Sequence, residues 1–93
     1  VYEKFGENGE LAYAIMMAES RGKHKATGYN TDKRKTHDRG LFQINSYWHS
    51  EVSDSCAYNI QCNIKEAYRI SNGGTDWRQW YTWRDGKHLP FMR

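Results

Sequence analysis

Ninety-three residues, 38% of them apolar and carrying a net charge of +3, make one small domain spanning residues 1–93. No apolar run approaches the ~20 residues that a membrane-crossing helix needs, so no membrane insertion is expected. The charge is mild and reads first as solubility, with attraction to an anionic polymer as the second reading.

A chain this short buries only about 60–65% of the surface that its unfolded form exposes. Its aromatic content offsets the thin core: 15% of the residues are Phe, Trp or Tyr, and four are Trp. Each large aromatic buries roughly 150–250 Å², so some belong to the core and some are free to line a site.

In chain order, Asn8 is placed to cap a helix beginning at Gly9-Glu10. Leu11, Ile15 and Ala18 recur at helical spacing, and Ala12, Met16 and Met17 make most of the remaining surface apolar, which predicts a largely buried helix. Gly22 supplies its stop, leaving Glu19 in the last turn. Periodicity then lapses until Asp38. Gly28, Asn30, Thr31 and Asp32 are turn residues, and short strands at residues 26–29 and 36–40 are expected to form a hairpin with an exposed basic tip, Lys33-Arg34-Lys35. The run from Gly40 to Asn45 reads as irregular and partly buried. Ile60, Ile64, Ala67 and Ile70 predict a second amphipathic helix over about residues 58–71, ended by Asn72-Gly73-Gly74. Asp76 would cap a third helix carrying Trp77, Trp80, Tyr81 and Trp83. The sum is an α+β domain, mostly helical with a small β-hairpin.

Cys56 and Cys62 are six apart. Two reduced thiols are one reading; a short disulfide across a turn is the other, and is the one favoured. It would suit an exported protein. His24, His37, His49 and His88 are scattered, so no metal and no cofactor is expected. No basic segment followed by an apolar stretch stands at the N-terminus, and Val1 reads as a trimmed or processed start.

Two carboxylates carry the candidate chemistry. Glu19 at a helix C-terminus faces the negative end of the dipole, and burial against aromatics would disfavour its charge further. Both effects raise its pKa, as a general acid near neutral pH requires. Position alone would favour an exposed Glu paired with Arg21 or a nearby Lys. Asp38, 19 residues later, lies on a polar strand that would keep it charged. One protonated and one charged carboxylate are the working pair of a glycosidase.

Three blocks carry a resemblance. Glu19-Ser20-Arg21-Gly22 resembles the Glu-Ser-x-Gly motif of the lysozyme-like superfamily, which includes lytic transglycosylases. The run Asp38-Arg39-Gly40-Leu41-Phe42-Gln43-Ile44-Asn45-Ser46 is similar to the Asp-x-Gly-Ile/Leu-x-Gln-Ile-Asn-Ser stretch of c-type lysozymes. Trp80-Tyr81-Thr82-Trp83-Arg84 resembles the family's later Trp-x-x-Trp-Arg. The blocks stand in the family's order and cover most of the chain. The resemblance implies a lysozyme-like fold whose hairpin forms one side of a cleft. It implies Glu19 as catalytic acid and Asp38 as nucleophile or electrostatic stabiliser. Gln43, Asn45, Tyr47 and Trp48 would contact sugar, and Trp80 would pack on the acid. His49 stands where c-type lysozymes carry a further Trp, and Ser50 where they carry a Cys. With two cysteines the family's usual four disulfides cannot form. The tail from Asp85 to Met92 is more similar to bacterial or phage relatives.

The expected function is that of a glycoside hydrolase: cleavage of the β-1,4 bond between N-acetylmuramic acid and N-acetylglucosamine in peptidoglycan, by a monomer that is extracellular, wall-associated or phage-borne. Lytic transglycosylation, which needs only Glu19, is the alternative. A non-catalytic glycan-binding module is a third. Nucleic-acid binding through the basic tip is not expected, because the run is three residues long and no nucleic-acid motif accompanies it. Trp77 and Trp83 read as core packing.

Overall fold

A computed structural model describes residues 1–31 and 34–92. Asp32 and Lys33, part of the expected turn and basic tip, lie outside the described residues. The architecture is α+β: helices and a small antiparallel sheet, in the order α1 (Tyr2–Phe5), a 3-10 turn (Gly6–Asn8), α2 (Gly9–Ser20), β1 (Thr27–Tyr29), β2 (His37–Arg39), β3 (Ile44–Asn45), α3 (Asp54–Ala57), α4 (Ile60–Ile70), α5 (Tyr81–Arg84) and a final 3-10 turn (Leu89–Phe91). No helix among the described residues is long and apolar enough to cross a membrane.

Helix α2 is the buried helix that the apolar spacing predicts, with Ala12, Ala14, Ile15 and Met16 in the core. It starts where expected, at Gly9 with Asn8 in the cap position. The Asn8 side chain makes no cap bond; its amide donates instead to the Gly73 carbonyl at 3.2 Å, tying the helix start to a loop 65 residues away. The helix ends at Arg21, which takes the left-handed conformation (φ 56°) and returns its N–H to Met17. Gly22 continues the turn at φ 80°. The abrupt stop leaves Glu19 one residue from the helix end.

The expected hairpin forms, and a third strand joins it. Thr27 pairs with Arg39, Gly28 with Asp38 and Tyr29 with His37. On the other edge Asp38 pairs with Asn45 and Arg39 with Ile44. The run read as irregular is therefore a tight turn followed by a strand. Asp38 stands in the middle strand between Gly28 and Asn45. A Cβ on Gly28 would sit 3.0 Å from the Gln43 amide oxygen and 3.8 Å from the Asp38 Cβ, so the glycine makes room for both side chains.

Two buried polar residues bind this sheet to the rest. Asn63, fully buried on α4, accepts from the Phe42 N–H and donates to the carbonyls of Arg39 and Ala57. The Arg39 side chain, also buried, donates to the carbonyls of Ile44, Asn45, His49 and Val52 and to the Asp54 carboxylate. Donors and acceptors buried this deeply are costly to leave unpaired, so these bonds hold the sheet and the segment after it in one arrangement.

The aromatic core is Phe5, Phe42, Trp77 and Trp80, with ring centroids 4.9–5.9 Å apart. Helix α4 is shorter than expected. Asn59 caps it by accepting from the Cys62 N–H, and Ile60, expected on its apolar face, is exposed.

The expected third helix does not begin at Asp76. Its carboxylate is occupied by the Arg78 guanidinium and N–H, and the indole N–H groups of Trp77 and Trp80 donate to the carbonyls of Gly74 and Phe42. Burying both indoles with their N–H groups paired bends the chain off the helical path. The helix starts only at Tyr81, with Trp80 as its extended N-cap. Trp83, read as core, is 36% exposed.

Cys56 on α3 and Cys62 on α4 form a disulfide with Cα atoms 5.0 Å apart. The turn between the two helices permits this where one straight helix would not. For a sequence separation of 6, loop-closure entropy amounts to about 2 kcal/mol. The Cys56→Ala/Cys62→Ala double variant is expected to melt about 10 °C lower than the parent; equal melting curves in a calorimeter would show that the bond constrains nothing.

Candidate active site

A cleft of about 450 Å³ lies between the sheet and the helices. From the sheet and the segment after it come Asp38, Gln43, Ile44, Asn45, Trp48 and His49. From the helical side come Glu19, Ile70, Gln79, Trp80 and Tyr81. The two candidate carboxylates thus face one cavity from different structural units.

Glu19 is half-buried at the end of α2. One carboxylate oxygen, Oε2, accepts a 2.9 Å hydrogen bond from the Thr82 hydroxyl of α5. Its pKa rises from the ordinary 4.5 to about 7. Burial is the main cause; the hydroxyl of Thr82 opposes it, and the negative charges of Asp38 and Asp85 add to it. Burial raises a carboxyl because the charged form loses its hydration. Near neutral pH the group therefore holds a proton that it can give away.

Asp38 has polar surroundings. Its Oδ1 accepts from the Asn45 amide at 2.9 Å and its Oδ2 from the Asn30 amide at 3.3 Å. The Asn45 amide also donates to the Thr36 hydroxyl, while its oxygen accepts from the N–H groups of Tyr47 and Trp48. Asn45 thus orients Asp38 and shapes the turn that presents Trp48. Gln43 lines the cleft with its backbone at φ 52°, and its amide donates to the carbonyls of Ala26 and Gly40. Both amides, read from the sequence as sugar contacts, are engaged inside the protein.

Trp48 is 66% exposed on the cleft rim. Tyr47 stands outside the cavity lining and packs edge-on against it, with the Arg34 guanidinium over both rings. Trp80 is buried and shares the cavity with Glu19.

Several lining residues lie outside the set expected from sequence. His49 bonds to Gln79 at 2.8 Å, joining the two sides of the cleft, and its other ring nitrogen faces Glu51 at 3.3 Å. The Arg69 guanidinium holds Glu51 down at about 2 and so anchors this chain of contacts to α4. Tyr81 and Thr82 sit inside the Trp80–Arg84 block, where the motif marked the stretch but gave neither a role. Nothing in the sequence pattern marks Gln79. Among the described residues no group of three or more His, Cys, Asp or Glu is gathered as a metal site.

The family model described as a lysozyme-like domain matches residues 4–82. The chain is a lysozyme-like domain. No curated protein and no solved structure matches it. At the level of the family, a lysozyme-like domain is a peptidoglycan-directed, glycan-cleaving unit, and the matched residues include every residue lining the cleft of this one. The lysozyme-like domain combines a carboxyl poised to be protonated with a second carboxyl in a polar setting, across a cavity with an aromatic rim. Aromatic faces suit the apolar faces of sugars, and a few convergent polar groups set orientation.

Proposed function

We propose that this lysozyme-like domain is a muramidase that hydrolyses the β-1,4 bond between N-acetylmuramic acid and N-acetylglucosamine. The observation that carries the reading is the placement of Glu19 and Asp38 in unlike surroundings on one cavity. Glu19 gives its proton to the glycosidic oxygen as the bond from that oxygen to C1 breaks. Asp38 supports the positive charge developing at C1, or attacks it. Water then adds at C1 and returns a proton to Glu19, leaving a reducing end. The remaining site residues proposed to serve substrate are Trp48 and Tyr47 at the rim, Trp80 beside the acid, and Gln43 and Asn45 beneath the sugars.

The chain works as a monomer on peptidoglycan, outside the cytoplasm, on the wall or borne by a phage. The Cys56–Cys62 bond supports an oxidising location. Neither a nucleic acid nor a membrane is its target.

Mass spectrometry of digested peptidoglycan tests the chemistry. Reducing ends are expected, and Asp38→Asn is expected to slow their release by about 10²–10³-fold, the range for a lost electrostatic stabiliser. Products ending in 1,6-anhydromuramic acid, with Asp38→Asn close to the parent in rate, would make the domain a lytic transglycosylase instead.

A further inference from the structure

We propose that Thr82 is a positioning residue that fixes the transferable proton of Glu19 on Oε1, by donating its own hydroxyl hydrogen to Oε2. The inference rests on the reading of Glu19 as general acid and goes beyond it to the oxygen that acts.

The geometry carries it. Thr82 Oγ1 lies 2.9 Å from Glu19 Oε2, and Thr82 is only 8% exposed. A protonated carboxyl has one hydroxyl oxygen and one carbonyl oxygen, so two arrangements compete. In the first, Thr82 donates to a carbonyl-type Oε2 and the acidic hydrogen sits on Oε1. In the second, Oε2 carries the hydrogen and donates to Thr82. The second leaves the hydroxyl hydrogen of Thr82 with no acceptor among the described residues, and a buried donor left unpaired costs about 1–3 kcal/mol. The first arrangement wins.

The donor is also held in place. The Thr82 carbonyl accepts from His88 Nδ1 at 3.1 Å and from the His88 N–H at 3.3 Å, and His88 is 7% exposed. Because a carbonyl only accepts, this contact sets the His88 tautomer with hydrogen on Nδ1. On the other side, the Trp80 indole N–H is fixed on the Phe42 carbonyl. The β-branched threonine is itself stiff at χ1. Thr82 therefore presents its hydroxyl from a clamped backbone.

The same bond matters again when the proton leaves. As Glu19 becomes negative, the hydroxyl finds a charged acceptor, and such bonds are stronger than neutral ones. Thr82 therefore both selects the oxygen and eases the departure of the proton. The charges acting on Glu19 from elsewhere are Asp38 on β2 and Asp85 just after α5. Asp85 is paired with Lys87, and neither carboxylate is altered by changing Thr82.

The test uses Thr82→Val, which keeps shape and removes the hydroxyl, beside Thr82→Ser, which restores it. For Thr82→Val, kcat is expected to fall about tenfold at unchanged KM, by loss of a hydrogen bond to a charged group. The alkaline limb of the pH profile should move to higher pH, and Thr82→Ser should recover both. Carbon-13 titration of the Glu19 carboxyl, which needs no turnover, should show the same upward move in Thr82→Val and its reversal in Thr82→Ser. A Glu19 titration unchanged in Thr82→Val, or a Thr82→Ser enzyme that behaves like Thr82→Val, overturns the proposal. If the titration moves as expected while kcat stays at the parent value, the bond exists but does not position the acid, and the proposal is equally lost. Full activity of Glu19→Gln would instead remove the general-acid reading itself.

Discussion

Glu19→Gln is expected to clear a peptidoglycan suspension on the order of 10²–10⁴-fold more slowly than the parent, the range for loss of a positioned general acid. Binding of soluble glycan should persist, because the amide keeps the shape of the carboxyl. Parental clearing by Glu19→Gln would leave the domain a glycan-binding module or place the acid elsewhere. The substitution also has a stability signature. Glu19 has a pKa of about 7 in the folded chain against an ordinary 4.5, so the folded state holds the proton more tightly than the unfolded state. The stabilisation from that proton is whole below pH 4.5 and lost as pH rises through about 7. The difference corresponds to about 3 kcal/mol. Glu19→Gln, neutral throughout, should match the parent near pH 4 and exceed it by up to that amount near pH 8. Denaturation followed at both pH values checks this, and a constant offset would mean that Glu19 is not held protonated by burial. For the parent, activity should decline through an alkaline limb near pH 7.

The second large effect is expected at Gly40. Its backbone is at φ 76° and leads the chain from β2 into the turn below the cleft. A Cβ there would overlap the Ala57 carbonyl oxygen and lie 2.6 Å from the Asn63 amide nitrogen. Two costs combine in Gly40→Ala: about 1–3 kcal/mol for the left-handed backbone and about 1–3 kcal/mol or more for overpacking. Against a total stability of about 5–15 kcal/mol for an ordinary domain, that is enough to unfold much of the population. A Cβ on Gly73, at nearly the same φ (73°), meets only the Tyr68 ring at an ordinary 3.6 Å, so Gly73→Ala reports backbone strain without the clash. Urea midpoints should fall far more for Gly40→Ala than for Gly73→Ala; similar midpoints would mean that the Ala57 and Asn63 contacts give way easily.

The features that could be read in advance are those with local causes. The apolar spacing of Leu11, Ile15 and Ala18 marked α2, and the turn residues after Lys23 marked the hairpin. The helix end placed Glu19, and burial there raised its pKa as the charge argument anticipated. Long-range causes were silent. Trp77, Trp80 and Trp83 have helical spacing, yet burial of the Trp80 indole on the Phe42 carbonyl, 38 residues back, helped to decide the path of that segment. Nothing in the spacing of Ile60, Ile64, Ala67 and Ile70 marks Asn63, which three bonds to residues outside its helix make a buried tie. Thr82 meets Glu19 across 63 residues of sequence, a pairing that no spacing rule contains. Likewise the resemblance implies a sugar contact at Asn45, and only the sheet register shows its amide facing Asp38.

The guanidinium of Arg39 has one more consequence. A single side chain fastens Ile44, Asn45, His49, Val52 and Asp54, and this stretch carries the aromatic rim. The groove is therefore preorganised: its shape exists before any glycan arrives. Ordering a loose side chain on binding costs about 0.5–1.5 kcal/mol each, and a rim already fastened from within escapes much of that loss. Affinity for a stiff polysaccharide then comes from matching a fixed contour rather than from folding a loop around the ligand.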